Sequence, residues 1–239
     1  MIKKQINQKN SFYIELLNLI GHDYVFNNNS INRLKNKIDI PNKLNENKLE
    51  KLAKLKQEID SIKDCNLKKN ASTVVFADGN IQSSIMIVGG GPGQKEDELG
   101  KPFVGEAGTL LNKMLKAIKI ARKKIYITNV VNYRPPNDRK PEQSEINRYS
   151  KHLREHISII DPKILILMGS TAMEAILGIN KKISKERGQW KEVIIKQKNF
   201  KTIVTFHPAY LLRKPDQKKF SWEDLKIIRK EIDEQNIEI

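Results

Sequence analysis

The sequence holds a single cysteine, Cys65, among its 239 residues. An internal disulfide is therefore excluded, and a lone thiol fits a reducing, cytoplasmic setting. No apolar run approaches the roughly 18–20 residues that a membrane-spanning helix needs, so no membrane partner is expected. The opening residues, Met1-Ile-Lys-Lys-Gln, are polar and are followed by more polar sequence, and no secretory leader is expected. No internal repeat is present. Arginine is scarce, supplying 9 of the 44 basic residues.

Apolar residues make up 38% of the chain and charged residues 30%, the balance of a soluble globular protein. The length suits one compact α/β domain with an N-terminal extension. The net charge of +16 favours a polyanionic partner, because each Lys or Arg that meets a phosphate releases a counterion. Abundant Lys, Asn and Ile would also follow from AT-rich coding, so charge alone leaves both explanations open.

Residues 1–61 are expected to form a Lys- and Asn-rich helical extension, and 62–239 the main domain. The extension contains an apolar stretch, Phe12 to Leu19, and an Asn27-Asn28-Asn29 turn. A Lys-rich amphipathic segment follows from about Leu44 to Ile62, with apolar residues at Leu49, Leu52, Leu55 and Ile59. From Thr73 onward, short apolar runs alternate with helical periods. Strands are predicted at Thr73–Phe76, Ile85–Val88, Lys124–Thr128, Ile164–Met168, Val193–Lys196 and Thr202–Phe206. Helices are predicted at Gly105–Lys119, Gln143–Ile160, Thr171–Leu177 and Trp222–Glu234. Thr171-x-x-Glu174 has the pattern of a capping box, and Gly178 a helix stop. Strands separated by helices imply a mostly parallel sheet covered on both faces, a three-layer α/β/α sandwich.

The residues just beyond each apolar strand carry the chemistry. Gly89-Gly90-Gly91-Pro92-Gly93 succeeds one strand and Asn129 another; Gly169-Ser170 and His207-Pro208-Ala209 succeed two more. In open α/β sheets ligands bind beyond the carboxyl ends of the strands, so a glycine loop, an amide, a hydroxyl and an imidazole would meet at one rim. The glycine loop is neither the dinucleotide fingerprint, since Pro92 interrupts it, nor a P-loop. It is either a tight turn or a place where backbone approaches a base or phosphate closely. His207 precedes Pro208, a residue suited to a first helical position. The positive end of that helix would keep the ring neutral and able to donate one hydrogen bond. His22, His152 and His156 have no such context and read as surface residues. Glu96 and Phe103 are expected on a loop with glycine hinges, Phe103 serving either as core or as a stacking platform.

Taken together, these segments resemble the family 4 uracil-DNA glycosylases. The matching residues are Gly89-x-Gly-Pro-Gly-x-x-Glu-Asp97, Gly100-x-Pro-Phe-Val-Gly-x-Ala-Gly-x-Leu-Leu111, Tyr126-Ile-Thr-Asn-Val-Val131, Arg134-Pro-Pro136 with Arg139-x-Pro141, Arg187-Gly188, Thr205-Phe-His-Pro-Ala-Tyr-Leu-Leu-Arg213 and Trp222-Glu-Asp-Leu225. They run in order from about residue 62 to 226. The resemblance implies the α/β/α fold of the uracil-glycosylase superfamily and hydrolysis of the N-glycosidic bond of uracil in DNA. The implied partner is uracil-containing DNA, single- or double-stranded, met by a monomer. Asn129 would read the uracil edge, and Phe103 would stack on its face. His207 would bond the carbonyl oxygen as charge grows there, and Glu96 would position or activate water. Gly91, Pro92, Gly93 and Ser170 would complete the pocket. Pro208 to Arg213 would enter the duplex with Leu211 or Leu212 as wedge, and Arg134, Arg139 and Arg213 would hold phosphates.

The sequence departs from that family twice. The family carries a four-iron, four-sulfur cluster on four cysteines, and the matching positions here are Ile62, Cys65, Tyr133 and Tyr149. Neither Ile nor Tyr normally replaces a cluster thiolate, so no cofactor is expected and aromatic packing is expected in its place. Gly90 stands where the family commonly has Glu, which leaves a binder of uracil-containing DNA with weakened catalysis as the alternative. A nucleotide-binding protein unrelated to DNA would rest on the glycine loop alone.

Overall fold

A computed structural model of the chain describes residues 43–63, 65–178 and 182–238. The Phe12–Leu19 stretch, the Asn27–Asn29 turn and His22 lie outside them. Among the described residues, six strands form one sheet in the order β1-β3-β2-β4-β6-β5. Their bounds are β1 (Ala77–Gly79), β2 (Ile85–Gly89), β3 (Tyr126–Asn129), β4 (Ile164–Met168), β5 (Trp190–Ile195) and β6 (Lys198–Thr205). The central strands β3, β2, β4 and β6 are parallel, and β1 and β5 close the two edges antiparallel.

The alternation of side chains along the central strands builds two cores. Met86, Val88, Leu165 and Leu167 enter one, whereas Ile85, Ile87, Ile164 and Ile166 enter the other. A strand buried on both faces is therefore a continuous apolar run, and β2 and β4 show no exposed position. Helices α1 (Lys43–Asp60), α5 (Gln143–Ile160) and α6 (Ser170–Leu177) line the first core. The second is covered by α4 (Glu106–Ala117), α8 (Pro208–Arg213) and α9 (Lys218–Glu234). The shorter helices are α2 (Asn66–Asn70), α3 (Gln94–Leu99) and α7 (Ile183–Glu186). The chain is thus the expected three-layer α/β/α sandwich with a mostly parallel sheet. Leu52, Leu55 and Ile59 of α1 share a core with Tyr149 and Leu153 of α5, while Leu49 is 55% exposed.

Four expectations give way. Thr73–Phe76 is not a strand; β1 begins at Ala77. The earlier segment is held from the side instead, Val75 N–H donating to Asn132 O at 2.8 Å and Asn132 Nδ2 to Val75 O at 3.1 Å. The helix predicted from Thr171 begins at Ser170 with Gly169 as its N-cap and no side-chain cap. Glu174 is instead engaged by Lys140 Nζ at 3.0 Å. Glu96 lies on α3 rather than on a loop, because Gly93 and Gly100 bound one short helical segment of the acidic run. His156 is not a surface residue. It is 2% exposed, its ring stacks on Phe76 at 4.5 Å, and its Nε2 pairs with Tyr126 Oη at 2.8 Å. Burial pushes its pKa down to about 3. His152 is half-buried, its Nδ1 enclosed without a hydrogen-bond partner.

Candidate active site

Parallel pairing aligns the carboxyl ends of the strands, setting Gly89 of β2 opposite Asn129 of β3 and Met168 of β4 opposite Thr205 of β6. Beyond this edge lies a pocket of about 350 Å³, within the range of small-molecule sites. Gly90, Gly91, Pro92 and Gly93 form one wall, and Glu96, Phe103, Asn129, Thr171, His207 and Arg213 contribute side chains. Leu-, Ile- and Val-rich strands fix this edge rigidly because their side chains are locked in both cores.

Asn129 is 3% exposed, and its Oδ1 is buried with no hydrogen-bond partner. An unsatisfied buried amide oxygen costs about 1–3 kcal/mol, which a ligand N–H would recover. Gly89 is required beside it. A Cβ there would lie 2.3 Å from Asn129 Oδ1 and 2.6 Å from the Phe103 ring, so any larger residue would displace the amide or the aromatic.

Phe103 is 5% exposed and its ring stacks on His207, centroids 5.3 Å apart. Its backbone takes φ +54°, a region in which a bulky residue is strained. Arg122 holds it there. The guanidinium donates to Phe103 O at 2.9 Å and Pro102 O at 2.7 Å, while pairing with Asp78 at 2.9 Å.

His207 is the N-cap of α8, and Pro208 takes a first-turn position as the sequence suggested. Its Nδ1 accepts from Ala209 N–H at 3.2 Å, so a neutral ring carries its proton on Nε2. Burial first, and then the Arg213 guanidinium, pushes its pKa down to about 4 against the attraction of Glu96. Desolvation, more than the helix end expected from the sequence, is thus the leading cause of the neutral ring.

Glu96 Oε1 accepts from Val104 N–H at 2.8 Å and Gly105 N–H at 2.7 Å. One oxygen is therefore committed to the Phe103 loop, and Oε2 lies beside Gly93, 3.0 Å from where a Cβ would stand. The carboxylate can anchor the loop and still accept from a water.

The remaining sequence candidates divide. Ser170 opens α6 outside the pocket lining, and the adjacent Thr171 lines it. Arg134 pairs with Asp138 at 2.7 Å, and Arg139, at the pocket wall, pairs with Glu145 at 2.7 Å. Arg213 is exposed, lines the pocket and makes no salt bridge among the described residues. Pro208 is buried and Leu211 is 1% exposed within the core, whereas Leu212 is 40% exposed. Sequence reasoning missed Arg122 and the buried Asp97, whose carboxylate accepts from Ser72 and Thr73 N–H at 3.0 and 3.1 Å. Neither carries a local signal, because both act on segments distant in sequence.

The positions aligned with cluster cysteines do come together. Cys65 Sγ and Tyr149 Oη are 3.3 Å apart, Tyr133 Oη donates to Asp60 Oδ1 at 2.6 Å, and Ile62 packs on the same core. One thiol and two buried phenols that already have hydrogen-bond partners, with an alkyl chain beside them, do not fit a cluster that needs four thiolates.

The sheet edge, the orphaned amide, the stacked aromatic and the neutral imidazole define an α/β/α protein with one polar pocket at the carboxyl ends of its parallel strands. The family model for the uracil DNA glycosylase superfamily matches residues 76–227. A type-4 uracil-DNA glycosylase of Sulfurisphaera tokodaii is 41% identical over 76% of this chain and 84% of its own length. That of Thermotoga maritima is 41% identical over 62% of this chain and 77% of its own, and that of Archaeoglobus fulgidus 35% over 75% and 92%. The chain belongs to the uracil DNA glycosylase superfamily and, within it, to the type-4 family.

Proposed function

We propose that this protein excises uracil from DNA by hydrolysing its N-glycosidic bond, leaving an abasic site. The observation that carries the proposal is the partnerless Asn129 Oδ1 at the base of a pocket whose other groups suit one pyrimidine. Uracil has a carbonyl beside an N–H on its pairing edge, so the Asn129 amide accepts from N3–H through Oδ1 and donates to O4 through Nδ2. Phe103 covers the flipped base.

As the C1′–N1 bond breaks, its electron pair passes to uracil and an oxocarbenium-like sugar remains. His207 Nε2–H donates to O2, where the negative charge collects. Glu96 accepts a proton from the water that adds to C1′. Arg213 meets backbone phosphate at the pocket mouth, and Leu212, the exposed leucine of α8, fills the space the base vacates. No step passes through an iron–sulfur cluster. The protein acts in the cytoplasm as a monomer, on single- or double-stranded DNA.

The test is alkali-revealed strand cleavage of a single-uracil oligonucleotide by the wild type beside Glu96→Gln and His207→Ala. Cleavage lost in both variants supports the reading. Gly90 favours one competitor, a binder whose catalysis is weakened by the missing carboxylate; uracil-dependent binding without cleavage by the wild type would establish it instead.

A further inference from the structure

A second depression lies across α8 from the pocket. It is a groove of about 250 Å³ whose floor is Leu110, Met114, Leu211 and Leu225 and whose rim carries Lys113, Lys218 and Trp222. The two depressions share walls. Ala107 of α4 and Ala209 of α8 line the pocket, whereas Leu110 and Leu211, on the same two helices, line the groove.

Trp222 is 44% exposed there. It borders the apolar floor of the groove, and contiguous apolar surface of this kind marks interaction sites. The groove lining contains lysines and no carboxylate, and neither Lys113, Lys214, Lys218 nor Lys219 forms a salt bridge among the described residues. Ser221 contributes to the lining with an Oγ that is buried without a partner. Aromatic surface and the Lys113 and Lys218 cations, which have no carboxylate partner among the described residues, match a nucleobase carried on a phosphate chain, because each base offers a π-face and a neighbouring negative charge.

We propose that this groove is a stacking platform for an unpaired base flanking the uracil, with Trp222 as the surface on which it lies. The inference rests on the proposed excision, and the groove adjoins the pocket on the other side of α8. Lys113 and Lys218 hold the adjoining phosphates. Single-stranded DNA uses the platform fully, since paired bases are not free to occupy it.

The experiment combines kinetics with Trp222 fluorescence. Trp190 is the other tryptophan of the chain, so Trp190→Phe leaves Trp222 as sole reporter. Titration with a single-stranded oligonucleotide carrying a tetrahydrofuran abasic site is expected to quench it. Trp222→Ala is expected to raise KM for single-stranded uracil substrate by about 5- to 100-fold with kcat unchanged, and Trp222→Phe to restore most of the loss. Replacing the flanking nucleotides one at a time by abasic spacers locates the stacked base. At that position the spacer and Trp222→Ala are not additive. Unchanged KM in Trp222→Ala, or an emission that DNA does not alter, overturns the platform. Absence of excision by the wild type overturns the proposed reaction instead, and the quenching arm still reports on the groove.

Discussion

His207 gives the sharpest test of the pocket, because its hydrogen-bond role and its protonation state are both set by visible contacts. Ala209 N–H occupies Nδ1, so the only proton a neutral ring can offer is on Nε2. Burial and Arg213 push the pKa to about 4, at which about 0.1% of the rings are ionised at neutral pH. Removing a donor aimed at developing negative charge costs about 2.7–4 kcal/mol, or 10²- to 10³-fold in rate. His207→Ala is therefore expected to slow single-turnover excision by that factor at pH 7. The wild-type rate is expected to show no inflection near 6.5, the ordinary histidine value, because the ring remains neutral at every pH above about 5. The assay is quenched-flow excision from a single-uracil strand between pH 5 and 8.5. A variant within threefold of wild type, or a rate that titrates near 6.5 and loses this titration in the variant, would refute the reasoning.

Glu96→Gln keeps a carbonyl for the Val104 and Gly105 amides but loses the charge; excision is expected to fall about 10²- to 10⁴-fold with the fold retained, read by cleavage and circular dichroism. On α8, Leu211→Ala is expected to destabilise by about 2–5 kcal/mol, since Leu211 is 1% exposed. Leu212→Ala is expected to leave urea unfolding unchanged and to weaken excision from duplex more than from single strands. His156, with its pKa pushed to about 3, must be neutral in the folded state. The unfolded chain binds one more proton below about 6.5, so stability falls as the pH drops from there toward 3. His156→Phe is expected to flatten urea-midpoint profiles in that window by about 1.4 kcal/mol per pH unit.

The central strands were legible because strands buried on both faces must be uninterrupted apolar runs, and Ile164–Met168 is one with turn residues at its ends. Gln143–Ile160 was legible from its 3.6-residue period. Thr73–Phe76 has the same β-branched character, yet its backbone is tied by Asn132, through carbonyl and side chain, and by the Thr128 hydroxyl rather than by a strand ladder. Composition cannot distinguish those two partners. The placement of the glycine loop, Asn129 and His207 at one rim followed from strand order, since parallel strands deliver their carboxyl ends to one edge; Glu96 and Phe103 joined them only through the family resemblance, and Ser170 lies outside the pocket lining. Their supports were not legible in the same way. Arg122 reaches Phe103 and Asp78 across separations that no local pattern encodes. His156 was misread because a polar residue on a helix is ordinarily exposed, and the contacts that make its burial tolerable, with Tyr126 and Phe76, come from positions thirty and eighty residues away.

The degenerate cluster positions bear on how this side of the molecule is held together. In the type-4 relatives that carry it, a cluster would tie chain segments together through metal–thiolate bonds. Here the end of α1, Cys65, Tyr133 and α5 converge around one thiol and two phenols, and Tyr149 is fully buried in the core that holds Leu55, Ile59 and Leu153. Burying a tyrosine removes about 150–250 Å² from water; at about 25 cal/mol per Å² this contributes at most about 4–6 kcal/mol. The contact between Tyr149 Oη and Cys65 Sγ adds about 1 kcal/mol or less, because its thiol partner is weak. Packing should therefore far outweigh hydrogen bonding. Tyr149→Phe is expected to cost about 1 kcal/mol or less, and Tyr149→Ala about 3–5 kcal/mol, both measured by urea unfolding. Purified protein is expected to show no broad visible iron–sulfur absorption, and its urea midpoint should not move on treatment with an iron chelator. Stoichiometric iron, or a chelator-induced loss of stability comparable to Tyr149→Ala, would mean that metal rather than aromatic packing holds these segments together.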